Sequence, residues 1–168
     1  GRMASSRITW QTVDQAMTRW SAVLGVLAVL AAVLAAYRFV SRALVEGIAA
    51  SVLLVILLVG WWATSRLHRA RVTLGEDGII REGRGGFTLP WDQVRMVGIG
   101  EGLVSEVPYL VIATRRRRNH PTALAAAGSG LRRPSAAAPL DAGMQDQVRA
   151  ALMERGVFRT EEQWNADL

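Results

Sequence analysis

The chain of 168 residues contains no cysteine and no lysine. Without cysteine there are no disulfides, thiolate nucleophiles or thiolate metal ligands, and the redox compartment stays open. Its two histidines, His68 and His120, are too few for a histidine metal site without several carboxylates beside them. There is no Ser/His/Asp set and no His-Glu-x-x-His run, and the carboxylates are scattered over turns and a terminal helix. The chain is therefore expected to be no enzyme, with no catalytic residue, no metal and no cofactor. The missing lysine makes all 20 basic residues arginine, against 14 acids, for a net charge of +6. Together with abundant alanine and glycine, this points to a GC-rich bacterial genome, a matter of codons rather than mechanism. A basic balance invites a nucleic-acid reading, but no aromatic residues interleave the arginines, so no nucleic-acid partner is expected. Arginine flanking membrane spans and facing anionic headgroups accounts for the charge.

What the sequence has in quantity is apolar run. Residues 20–37, WSAVLGVLAVLAAVLAAY, carry no charge, and residues 44–63, LVEGIAASVLLVILLVGWWA, carry only Glu46. As helices they would be about 27 and about 30 Å long, near the hydrocarbon thickness of a bilayer. Neither has a polar face, so a transmembrane helical hairpin over 20–63 is predicted. The first run is longer than a signal-peptide core and lacks a small-x-small cleavage site, which favours a signal anchor. Trp20, Tyr37, Trp61 and Trp62 fall at segment ends, where amphipathic rings sit at the headgroup level. Arg7, Arg19, Arg66, Arg69 and Arg71 flank the outer ends, against Arg38 and Arg42 in the turn. That asymmetry predicts a bacterial inner-membrane protein with both termini cytoplasmic. Residues 1–19 are expected to be a polar cytoplasmic segment, with Trp10 and Met17 on a short interfacial helix ending at Trp20. Small residues recur every fourth position, at Ala28, Ala32 and Ala36 and then at Ala43, Gly47 and Ser51, and such stripes let helix backbones approach closely. Packing within the hairpin is expected, a homo-oligomer or partner interface being the alternative. Glu46 lies in the first turn of its helix, where it can snorkel or pair locally with Arg42.

Beyond Arg66–Arg71 the pattern changes to short β-prone runs broken by glycine. Val72–Leu74 and Ile79–Arg81 flank an Asp77-Gly78 turn, a hairpin signal. Phe87–Leu89 follows Gly83-Arg84-Gly85-Gly86, and Pro90 excludes a central continuation because it lacks an amide donor. Gly83-x-Gly85-Gly86 could cradle a phosphate, but no helix follows it, so a dinucleotide site fails its context. Val94–Ile99 and Tyr109–Ala113 are the next strands, with a turn at Gly100–Gly102. Asp141 can cap and Gly156 can stop a final helix, along which Leu140, Met144, Val148, Ala151 and Leu152 make one apolar stripe. Trp91 is expected to pack at a core edge. An antiparallel meander, curled into a sandwich or small barrel and capped by that helix, is predicted.

The order Asp77-Gly78-Ile79-Ile80, then Phe87-Thr88-Leu89-Pro90-Trp91-Asp92-Gln93-Val94, then Tyr109-Leu110-Val111-Ile112 resembles bacterial pleckstrin-homology-like (YcxB-like) domains, which often follow two transmembrane helices. The resemblance covers roughly residues 20–157 and implies two packed antiparallel sheets with a capping C-terminal helix, placed at 70–157. The chain departs from it at 119–139, an Ala/Gly/Ser/Pro-rich loop where the last strands belong. Residues 158–168 form an acidic tail, read as a second short helix or as disordered.

Arg115, Arg116, Arg117 and Arg118, joined by Arg132 and Arg133, put six arginines and no acid between residues 113 and 133. A basic cluster near an anionic leaflet gains about 1 kcal/mol per residue, which makes these six candidate lipid-binding residues. Lysines along the first strand hairpin, usual where such domains bind inositol lipids, are absent. The expected role is a non-enzymatic scaffold or regulatory partner at the bilayer. An anionic-lipid sensor and a small subunit of a transporter or envelope complex are the alternatives.

Overall fold

The computed structural model describes residues 7–101, 107–116 and 118–168. It begins with a strand, β1 (Ile8–Val13), where an interfacial helix was expected. Ile8 and Trp10 point inward while Thr9 and Gln11 point out, the two-residue period of a strand. Asp14 then caps α1 (Gln15–Val40), its carboxylate accepting from the Met17 amide at 3.0 Å, so the first helix starts well before Trp20. A tight turn leads into α2 (Leu44–Ser65), and the chain returns as β2 (Arg69–Leu74). β1 and β2 pair antiparallel, from Ile8 against Leu74 to Val13 against Arg69. β1 is thus an edge strand of the domain that follows, and the helical hairpin is an insertion between two neighbouring strands.

Both helices are long and apolar enough to cross a membrane. They are not core helices of a globular fold, since only 17% and 11% of their most apolar stretches are buried. The residues buried along the pair are Ala28, Ala31 and Ala35 on α1 and Gly47 and Ala50 on α2, with Ser51 half-buried beside them. Ala32 and Ala36 are exposed instead of lying among them, and Ala43 is half-buried in the turn. A fourfold spacing drifts about 40° round a helix at each step, whereas alternating three and four keeps facing the partner. Gly47 lets the Phe39 ring lie against the backbone of α2, where an added Cβ would stand 3.1 Å from it. Glu46 pairs with Arg38 at 2.6 Å rather than with Arg42, whose backbone is left-handed (φ 59°) in the turn.

The remaining strands are β3 (Gly78–Glu82), β4 (Phe87–Pro90), β5 (Val94–Glu101), β6 (Pro108–Thr114) and β7 (Ala136–Pro139). They form a four-stranded sheet in the order β1-β2-β3-β4 and a three-stranded sheet in the order β5-β6-β7, both antiparallel. Gly78 is required at the first turn: its φ is 155°, and a Cβ there would meet the Leu89 carbonyl at 2.1 Å. Pro90 ends an edge strand. Gly100 and Glu101 continue β5 instead of turning, and Gly102 lies outside the described residues.

The stretch 119–139 holds a 3₁₀ helix (Pro121–Ala126) and then β7. The Ala137 carbonyl of β7 accepts from Arg81 Nη1 at 3.1 Å, and the Pro139 carbonyl accepts from Trp10 Nε1 at 2.7 Å. Arg81 and Trp10 both stand opposite Val72, on one rung across the first sheet, so β7 runs across those strands and the sheets are crossed. These two side chains and the Thr122 hydroxyl, which accepts from the Ala137 amide at 3.1 Å, satisfy the outer edge of β7.

One face of the second sheet meets the first sheet and α3 (Gln145–Glu154), in a core containing Val72, Ile79, Leu110, Ile112, Leu140, Val148 and Leu152. Trp91, half-buried at its edge, donates to the Gly75 carbonyl at 2.9 Å under the Arg155 guanidinium. The other face carries Met96, Tyr109, Val111 and Ala137 and packs with Ala16, Met17, Leu67, the 3₁₀ helix and Trp164. Trp164 belongs to α4 (Glu161–Ala166), so the tail is a helix, started by a Thr160/Gln163 capping box. It is fully buried and donates to the Arg132 carbonyl at 2.8 Å. Trp164→Ala is expected to cost about 3–5 kcal/mol, read as a lowered urea midpoint of the full chain in micelles.

Candidate functional site

Both feet of the helical hairpin converge on one buried polar cluster. At the first foot, Asp14 Oδ1 accepts from the Met17 amide and from the Tyr109 hydroxyl at 2.7 Å, while the Tyr109 oxygen accepts from the Ala16 amide at 2.8 Å. At the second foot, the Leu67 carbonyl accepts from Arg81 Nη2 at 2.6 Å, and the His68 carbonyl accepts from the Asp14 amide at 2.8 Å. Arg81 Nη2 also lies 2.9 Å from Asp14 Oδ2, with both side chains almost wholly buried. That contact is charge against charge more than a straight hydrogen bond, and Oδ2 has no aligned donor. Arg81 thus touches the first foot, the second foot and, through the Ala137 carbonyl, the second sheet. Burial lowers its pKa and the Asp14 charge opposes that shift; a guanidinium starts so far above neutrality that it keeps its proton.

The 3₁₀ helix packs on both α1 and α2 beside this cluster. His120 caps it, Nδ1 accepting from the Thr122 amide at 3.3 Å and lying 2.8 Å from the Thr122 hydroxyl. Because Nδ1 accepts from the Thr122 amide, the ring proton sits on Nε2, toward the Gly85 backbone. Burial first, and then the charge of Arg81, hold His120 below its ordinary 6.5, with a hydrogen bond to the Gly85 backbone opposing. A histidine so depressed binds fewer protons folded than unfolded. Its contribution is complete above about pH 6.5 and is lost as the pH falls from there toward the lowered value. The denaturation midpoint is therefore expected to drop between about pH 7.5 and 5.5. His120→Asn, which keeps a capping acceptor without a titrating group, should flatten that drop.

The arginines of the second half do not share one surface. Arg115, Arg116 and Arg118 line a hollow of about 300 Å³ with Asp92, Gln93 and Thr114; Arg117 lies outside the described residues. Arg132 sits under α4, its amide donating to Asn165 Oδ1 at 3.4 Å. Arg133 lines a larger cavity of about 910 Å³ between the 3₁₀ helix and the ends of β5 and β6. On the hairpin, Trp20 is half-buried against the second core, and Trp61 and Trp62 are exposed on α2, with the Arg66 guanidinium 3.8 Å from the Trp62 ring. Tyr37 is exposed near the turn. Among the described residues, no group of three or more histidines and carboxylates could hold a metal ion.

Asp14, Arg81 and Tyr109 are the residues that sequence reasoning missed. Two signals were present. Asp14 directly precedes a helix start, as a cap does, and Arg81 shares a strand face with Ile79, so an inward Ile79 carries Arg81 inward as a charge needing a partner. No family model, curated protein or solved structure matches the chain.

Proposed function

We propose that the chain is an integral protein of a bacterial inner membrane, with two spans and a cytoplasmic pleckstrin-homology-like domain held firmly against the lipid surface. There it acts as a non-enzymatic scaffold or regulatory partner. The observation that carries this reading is the welding of both hairpin feet into the domain core through Asp14, Arg81 and Tyr109. An anchor on a flexible linker would leave the domain free to tumble; this one fixes which face it turns to the bilayer and which to the cytoplasm. The outward apolar faces of α1 and α2, with Trp61 and Trp62 near one end, support the membrane placement. Four strands crossed by three, closed by a C-terminal helix, are what the resemblance leads one to expect of the domain.

Because the chain has no cysteine, one introduced thiol is the only one to react. Ser41→Cys, in the turn, is expected to take an impermeant maleimide in intact spheroplasts, and Glu162→Cys, on α4, only after lysis. The protein should also resist alkaline carbonate extraction. Release by carbonate overturns the integral placement, and the opposite labelling pattern overturns the orientation.

A further inference from the structure

The cavity beside the 3₁₀ helix has two kinds of wall. One is polar and cationic: Arg95, Arg133, Asn119, His120 and Thr114 line it beside the last residue, Leu168, and no Asp or Glu does. The Arg95 guanidinium is already engaged by the Asp167 carbonyl, whereas that of Arg133 has no hydrogen-bond or ion-pair partner among the described residues. Arg133 is also held in a left-handed backbone (φ 54°) immediately before Pro134, a conformation uncommon for a non-glycine residue. The other wall is apolar, built by Pro121, Ala123, Leu124 and Ala127, with Leu124 43% exposed. This wall belongs to the element that packs on both helices at their domain ends.

We infer that this cavity binds the headgroup of an anionic phospholipid, with Arg133 on the phosphate and Leu124 against the start of the acyl chains. The inference rests on the membrane placement proposed above, which puts the 3₁₀ helix in the headgroup layer. A nucleotide fits less well, since the one ring lining the cavity is the His120 imidazole, which is held by Thr122 and packs edge-on against Phe87. Free phosphate would leave the apolar wall unused. The arginine loop at Arg115–Arg118 is a different feature, lining its own hollow with Asp92.

The test is native mass spectrometry of the full chain in mild detergent, titrated with dioleoyl-phosphatidylglycerol or dioleoyl-phosphatidylcholine. Preferential retention of the phosphatidylglycerol is expected. Arg133→Gly, which accepts the left-handed backbone and removes the guanidinium, should weaken that binding about fivefold or more. Arg116→Ala, outside the cavity, should leave it unchanged. Equal retention of the two lipids overturns the inference, as does an equal loss in both variants, which would mean diffuse attraction to charge. Full displacement by millimolar inorganic phosphate would assign the site to free phosphate and overturn the lipid. Carbonate extraction of the same variants separates the two readings. Protein that stays in the membrane but shows no lipid preference sinks this inference alone, and protein that is extracted sinks the placement beneath it.

Discussion

Asp14→Asn alone, or Arg81→Met alone, is expected to destabilise the full chain by about 3–5 kcal/mol, because each leaves a charge buried without its counter-charge. The double variant should lose much less than the sum. Asparagine still caps α1, accepting from the Met17 amide and the Tyr109 hydroxyl, and methionine fills much of the volume of the arginine stem without bringing a charge. The coupling is expected at about 2–3 kcal/mol, near the upper end for residues in direct contact. Urea titration in nanodiscs, followed by the fluorescence of Trp10 and Trp164, measures all four corners of the cycle. Additive losses would mean that Arg81 is held by the Leu67 and Ala137 carbonyls and not by Asp14. The cycle also bears on function. If the pair is what welds the hairpin to the domain, the single variants should expose the Asp14–Ala16 and Leu67–Arg69 backbone to hydrogen exchange before the rest of β2.

The elements that could be read from the sequence are those whose signal is local. The two apolar helices, the strands from Val72 to Ala113 and the stripe from Leu140 to Leu152 each carry their own period, and the structure has them within a few residues. β1 and β7 could not be read that way. β1 finds its partner only after the whole helical hairpin has intervened, and Trp10 and Pro139, which meet at 2.7 Å, are 129 residues apart. β7 is Ala-Ala-Ala-Pro, without one β-branched side chain. Its alanines are buried on both faces, and the side chains of Arg81 and Trp10 close its edge, so small residues are what the space accepts. Composition alone makes such a strand look like low-complexity loop. The candidate site failed for a related reason. Six arginines close in sequence suggested one patch, but the chain turns through a 3₁₀ helix between Arg118 and Arg132, and the described ones lie on separate surfaces.

Expressed alone, residues 66–168 should not fold cooperatively, although they contain every strand that the sequence announced. They lack β1, and with it Ile8 and Trp10 of the first core and the ladder partner of β2. They also lack Asp14, so the Arg81 guanidinium would be buried with no counter-ion. The missing piece is short and close by. Val13 pairs with Arg69 and the Asp14 amide donates to the His68 carbonyl, so the two strand ends are already neighbours where the hairpin enters and leaves. A chain in which residues 7–14 are joined to 67–168 through Asn-Gly, which with Leu67 makes a three-residue antiparallel turn between Asp14 and His68, is therefore expected to fold without its helices. It should be less stable than the complete protein, because Ala16 and Met17 no longer cover the Tyr109 and Val111 face of the second sheet. Dispersed amide resonances and one sharp urea transition in the joined chain, with neither in residues 66–168, are the expected pair of results. A sharp transition in residues 66–168 alone would show that β1 and Asp14 only decorate a domain that is complete without them, and would leave the hairpin as a simple tether.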